Sequence, residues 1–97
     1  MKKLVSVCIP AYNNEDTIEA TVRSALNQTY ENLEVIVVDD CSRDGTVKQV
    51  EAIQDSRLRL IRNEKNLGMG GNWNKAIFQA RGEYVKLLCG DDILYPE

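Results

Sequence analysis

Short apolar runs along the chain alternate with stretches whose apolar residues recur at helical spacing. Leu4 to Ile9 is the first run, rich in β-branched residues, and Pro10 is expected to stop it because proline lacks the amide proton a ladder needs. Ile18, Val22, Ala25 and Leu26 then predict a helix reaching Asn27, with Asn14, Asp16 and Thr17 placed to bond its free backbone amides. Polar Thr29 to Asn32 returns the chain to Leu33–Val38, whose apolar character predicts a central strand buried on both faces.

Turn and capping residues, Ser42 to Thr46, precede a second helical stripe of Val47, Val50 and Ile53. Leu58 to Ile61 predicts a third, weaker strand. Beyond the polar segment Asn63–Asn66, the run Gly68-Met69-Gly70-Gly71 reads as a flexible loop, since it has neither G-x-G-x-x-G spacing nor the lysine of a P-loop. It leads into a helix carrying Trp73, Ala76, Ile77 and Ala80, which Gly82 is expected to close in a left-handed conformation. Tyr84 to Cys89 is the fourth strand.

The alternation β-α-β-α-β-α-β, with no internal repeat and no low-complexity linker, predicts an α/β fold. The expected form is a Rossmann-like open parallel sheet, with strand order 3-2-1-4 the arrangement that gathers the acidic loops. Ninety-seven residues suit a single domain with a modest core, so an exposed apolar edge on strand four would favour a homo-oligomer.

Charge and cysteine content narrow the function. A net charge of −3 with scattered Lys and Arg argues against nucleic acid as a partner. The longest uninterrupted apolar stretch, Val35 to Val38, is far short of a membrane span, and Met1-Lys2-Lys3 leads into a strand rather than a signal sequence, so a cytoplasmic chain is expected. Cys8, Cys41 and Cys89 are widely spaced and support buried thiol packing rather than disulfides or zinc. Without histidine, no Ser-His-Asp or Cys-His arrangement can be built from this chain alone.

Carboxylates carry the candidate chemistry. Asp39-Asp40 and Asp91-Asp92 each fall where a strand is expected to end. Two bare negative charges about 4 Å apart at a surface-like dielectric repel by roughly 4 kcal/mol, so such grouping costs stability unless a cation or a hydrogen-bonding ligand offsets it. In open parallel sheets the ligand lies beyond the carboxyl ends of the strands, where the strand order reverses. For order 3-2-1-4 this crevice would gather Pro10-Ala11-Tyr12-Asn13, Asp39-Asp40 and Gly90-Asp91-Asp92. Tyr12 offers a flat face for a base, and Asp39 or Asp40 can accept from a base N–H. Asp91 and Asp92 supply hard oxygens for Mg2+ or Mn2+ on the phosphates, and the cation would stabilise a departing diphosphate.

Val5 to Glu15, Val37 to Thr46, Asn66-Leu67-Gly68, and Ala80 to Tyr84 through Gly90-Asp91-Asp92, in this order and spacing, resemble family 2 nucleotide-sugar glycosyltransferases with the GT-A fold. The resemblance covers nearly the whole chain. It implies a nucleotide-sugar donor, UDP-sugar favoured, an inverting displacement onto a saccharide or lipid acceptor, and a divalent cation bridging the phosphates. Carried over residue by residue, Pro10 and Tyr12 would line the base site, and Asp40 with Asp39 would contact base or ribose. Asp91 would lie near the ribose and the metal, Asp92 at the metal, and Asn66 and Gly68 in a loop passing near the nucleotide.

Two departures stand out: many relatives carry aspartate at the place of Cys89 and arginine at that of Trp73. Similar enzymes also continue into an acceptor-binding half that supplies the catalytic base, so residues 1–97 are expected to form a donor-binding domain, inactive alone, with the base beyond Glu97. An association with the inner face of the membrane is compatible with a lipid acceptor.

Plainer readings accompany these. Asp44-Gly45-Thr46 reads as turn and cap chemistry, Glu15 as a helix-dipole residue, and Trp73 as core packing or a helix–sheet contact. Competing functions are a non-catalytic nucleotide-sensing or protein-interaction α/β module, and a phosphotransfer domain using clustered aspartates.

Overall fold

A computed structural model describes residues 3–94. The elements follow as β1 (Val5–Ala11), α1 (Ile18–Leu26), β2 (Leu33–Asp39), α2 (Thr46–Glu51), β3 (Leu58–Arg62), α3 (Gly68–Gln79) and β4 (Tyr84–Leu87). All strand pairs are parallel, in the order β3-β2-β1-β4. β1 and β2 therefore lie at the centre, and their alternating side chains enter two apolar layers.

One layer packs Val7 and Ile9 of β1 and Val35 and Val37 of β2 against Ile18, Val22 and Ala25 of α1 and Val50 of α2. The opposite layer packs Cys8, Ile36 and Val38 against Ala76 of α3. Each buried Val or Ile contributes roughly 1.5–3 kcal/mol, which makes these two strands the rigid platform from which the loops project.

Glu34 interrupts the apolar run of β2 yet is buried, and a buried carboxylate is costly unless bonded. Its Oε2 accepts from Ser6 Oγ at 2.6 Å and from the Arg81 amide at 2.7 Å, and its Oε1 from Arg59 Nη1 at 3.4 Å. Burial alone would raise its pKa, but these hydrogen bonds and the Arg59 charge together hold it below the ordinary value.

Several local expectations are corrected. Pro10 does not end β1, which continues to Ala11 and pairs Pro10 with Val38. Successive residues of β1 face opposite neighbours: Ala11 bonds towards β2, whereas Cys8 accepts from Leu88 on the β4 side. Pro10 has the sidedness of Cys8, and the β4 register ends at Cys8–Leu87, so the missing amide proton falls where no partner strand remains. β4 itself stops at Leu87 rather than Cys89, and its first three residues are exposed rather than buried.

The run Gly68–Gly71 is not a loop but the first turn of α3, entered through Gly68 at φ 80°. Gly82 is not left-handed; α3 ends at Ala80 in an extended conformation. What Gly82 provides is close approach, since a Cβ there would sit 2.6 Å from the Leu4 carbonyl oxygen and 2.7 Å from Ser6 Oγ. At α1, no side chain caps the N-terminus; the Asn14 carbonyl accepts the amides of Thr17 and Ile18 instead. Of the thiols, only Cys8 is buried; Cys41 is exposed and Cys89 is half-buried.

Candidate functional site

The loops after β1 and β2 are knitted into one unit. Asp40 N donates to the Ala11 carbonyl at 2.9 Å, extending the β1–β2 ladder past the strand ends. Asn13, at φ 51°, donates its amide to Ser42 Oγ at 2.8 Å and accepts the Arg43 amide on Oδ1 at 2.9 Å. Asn14 donates to Thr46 Oγ1 at 2.8 Å and accepts the Tyr12 amide on Oδ1 at 2.9 Å. Tyr12 is thereby fixed at the backbone while the residue as a whole remains 47% exposed. Asp44 accepts the Thr46 amide and hydroxyl, the turn role expected of it, and these bonds hold its carboxyl below the usual range against the opposing effect of burial.

The two aspartates after β2 have different surroundings. Asp39 accepts Ser42 Oγ at 2.5 Å and Ser42 N at 2.9 Å, and it faces a separate hollow shared with Cys41 and Arg62. Asp40 braces the entry to α3: Oδ1 accepts from Leu67 N at 2.7 Å and Asn63 Nδ2 at 2.9 Å, and Oδ2 from Gly68 N at 3.0 Å. Asn66 completes that turn, with Nδ2 on the Asp40 carbonyl and Oδ1 on Gly68 N. The negative charge near free amides at the start of α3 is favourable for the helix dipole.

The third loop is held from below. Thr17 Oγ1 and Thr21 Oγ1, on α1, both donate to the Gly90 carbonyl, at 2.9 Å and 3.1 Å. Asp92 N donates back to the Cys89 carbonyl at 3.0 Å, which closes a tight turn. Asp91 and Asp92 are left exposed, and one ligand atom each from Cys89, Asp91 and Asp92 lies within 4.8 Å of the others. Burial, then the charges of Asp92 and Asp91, push the Cys89 thiol up, so the neutral thiol is favoured beside two carboxylates. Two exposed hard oxygens suit Mg2+ or Mn2+, with the sulfur a softer third donor.

These pieces meet at a cavity of about 250 Å3 on the carboxyl edge of the sheet. Pro10, Tyr12, Asp40 and Asp91 line it, as the sequence suggested. Asp39, Asn66, Gly68 and Asp92 do not: the first belongs to the neighbouring hollow, the next two shape the turn behind it, and Asp92 stands in the acidic cluster at its rim. Asn14, Asn72, Met69 and Trp73 also line the cavity; Asn14 lies within the Val5–Glu15 segment and Trp73 at a position where many relatives carry arginine, but none of the four has a site role expected from sequence. Trp73 is half-buried rather than a core residue. A larger hollow of about 550 Å3, bordered by Arg62, Lys65 and Lys75, contains none of the residues expected from sequence.

A parallel sheet of order β3-β2-β1-β4, with aromatic and acidic loops gathered at its carboxyl edge, is the nucleotide-binding half of a GT-A architecture. The chain belongs to Glycosyl transferase family 2, whose sequence pattern matches residues 6–97. It is 48% identical over 90 residues to the UDP-Glc:alpha-D-GlcNAc-diphosphoundecaprenol beta-1,3-glucosyltransferase WfaP of Escherichia coli, covering 93% of this chain and 36% of that protein. The structure superposes on S. aureus TarS 1–349 in complex with UDP at a TM-score of 0.86 and 37% identity, over 98% of this chain and 29% of the other. It also matches the mannosyltransferase PcManGT from Pyrobaculum calidifontis in complex with GDP-Man and Mn2+, with a TM-score of 0.85, 32% identity, and 96% and 29% coverage. The chain thus spans about a third of the length of the curated relatives it matches.

Proposed function

We propose that the chain supplies the donor and metal site of a glycosyltransferase that moves a sugar from a nucleotide diphosphate to an acceptor with inversion. The observation that carries this reading is that Tyr12, after β1, and Asp91, after β4, line one cavity although remote in sequence. Pro10 and Tyr12 would meet the base, Asp40 would shape the pocket near base or ribose, and Asp91 and Asp92 would hold Mg2+ or Mn2+ against the diphosphate. Such a cation stabilises negative charge developing on the departing diphosphate. The chain's own residues bind and orient the donor.

A UDP-sugar is the favoured donor, because UDP accompanies TarS in its structure and UDP-Glc appears in the name of the Escherichia coli relative. That relative's name also contains a diphosphoundecaprenol acceptor, which supports a lipid-linked acceptor and a place at the inner face of the membrane. Acceptor binding and the catalytic base belong, in this reading, to sequence outside the 97 residues.

Calorimetric titration with UDP, with and without Mn2+, tests the proposal. Saturable binding that tightens at least tenfold with the cation is expected. Heat signals indistinguishable from buffer under both conditions would leave the non-catalytic module as the better account.

A further inference from the structure

The geometry points to Trp73 as a base-contacting residue of the donor pocket, packing its indole face against the base of a nucleoside diphosphate. This rests on the proposed donor-binding function and extends it to a residue on α3.

The sheet-facing side of α3 is set by Asn72 and Ala76, which are 3% and 0% exposed. Asn72 is tied there by Nδ2 on the Val38 carbonyl at 3.0 Å and by Asn63 Nδ2 on its Oδ1 at 2.8 Å. Trp73 lies one residue further, about 100° around the helix, and therefore leaves the sheet for the cavity that Tyr12 also lines. Met69 lies four residues earlier on the same helical face and continues that wall. Pro10 and Tyr12 supply a second apolar boundary from the end of β1.

Charge decides which part of a ligand belongs against these walls. Among the described residues no Lys or Arg lines this cavity, whereas Asp40 and Asp91 do. A diphosphate is repelled here unless a cation accompanies it, so it belongs at the acidic turn. The base, flat and uncharged, gains from aromatic contact, and base–aromatic stacking is typically worth enough to change affinity by tenfold or more.

Trp73 is the sole tryptophan in the sequence, so its emission reports the contact without labelling. With Mg2+ present, UDP is expected to change that emission saturably, whereas inorganic pyrophosphate with Mg2+ is expected to leave it unchanged. By calorimetry, W73A should bind UDP roughly tenfold more weakly, and W73F should stay within about threefold of the parent. Circular dichroism checks that both variants fold; should W73A not fold, the parent's emission and W73F decide. UDP binding by calorimetry with no change in Trp73 emission, or equal affinity in folded W73A, would overturn the role of Trp73 alone. Absence of UDP binding to the parent chain would overturn the donor-site proposal and this inference with it.

Discussion

Thr17 Oγ1 donates to the Gly90 carbonyl at 2.9 Å, across 73 residues of chain. With Thr21 on the same acceptor, it fastens the turn bearing Asp91 and Asp92 to the first helix. A bonded carbonyl cannot reorient freely, so the placement of the acidic pair depends on α1 as well as on β4. A Cβ at Gly90 would collide with the Asn14 side-chain amide, which also receives the Tyr12 amide.

Replacing either threonine by valine removes one hydrogen bond and should lower stability by about 1 kcal/mol. The double variant T17V/T21V should also weaken Mn2+ binding several-fold, as followed by the electron paramagnetic resonance signal of free Mn2+. G90A should impair cation and UDP binding together, because the loops share Asn14. Unchanged affinity in the folded double variant would show that the turn is held by its own residues.

Asp40 acts as a brace as well as a lining residue. D40A leaves the amides of Leu67 and Gly68 without their carboxylate and should cost about 2–3 kcal/mol. D40N retains the shape but substitutes an NH2 for one acceptor oxygen, and should recover only part of the loss. Thermal or urea unfolding gives both values. A loss below about 0.5 kcal/mol in D40A would contradict a structural role.

Glu34 makes stability depend on acidity. Its carboxyl is held below the ordinary value of 4.5, so its contribution is complete above that pH and fades as pH falls through the lower native value. Urea denaturation from pH 7 to pH 3 should show falling stability, with a smaller slope in E34Q. At neutral pH, E34Q should be less stable by about 2 kcal/mol. An identical pH slope in both proteins would remove Glu34 as a source of that dependence.

The outer edge of β4 has no partner strand among the described residues, and Tyr84 and Val85 are exposed there, with Ile77 and Phe78 exposed on α3. Such an edge favours pairing with another chain. Sedimentation at rising concentration should reveal self-association, and the pair of substitutions F78E and V85K should suppress it. A monomer throughout the concentration series would contradict this expectation.

Element order and the identity of the acidic loops were legible because apolar runs, helical stripes and turn residues report local structure directly. Pro10 was misread because sequence does not reveal which neighbour a strand residue faces. The glycine run was misread because its helical start is held by Asp40, far away in the chain. Gly82 followed the usual rule for helix ends, whereas its actual constraint is the backbone of β1 passing beside it. Trp73 and Asn72 have no site role legible in the sequence for a related reason: both reach the cavity through the packing of α3 on the sheet, whereas Asn14 enters from the same loop as Tyr12.

The central claim is that these remote loops form one cation-assisted pocket for a nucleotide diphosphate. A crystal structure of the chain with UDP and Mn2+ tests it most directly, since anomalous scattering locates manganese independently of the nucleotide. The account predicts a manganese peak at coordination distance from Asp92 and the diphosphate oxygens, with the uracil beside Tyr12. Well-defined UDP and manganese in the basic hollow bordered by Arg62, Lys65 and Lys75, with neither near Asp91 and Asp92, would contradict it.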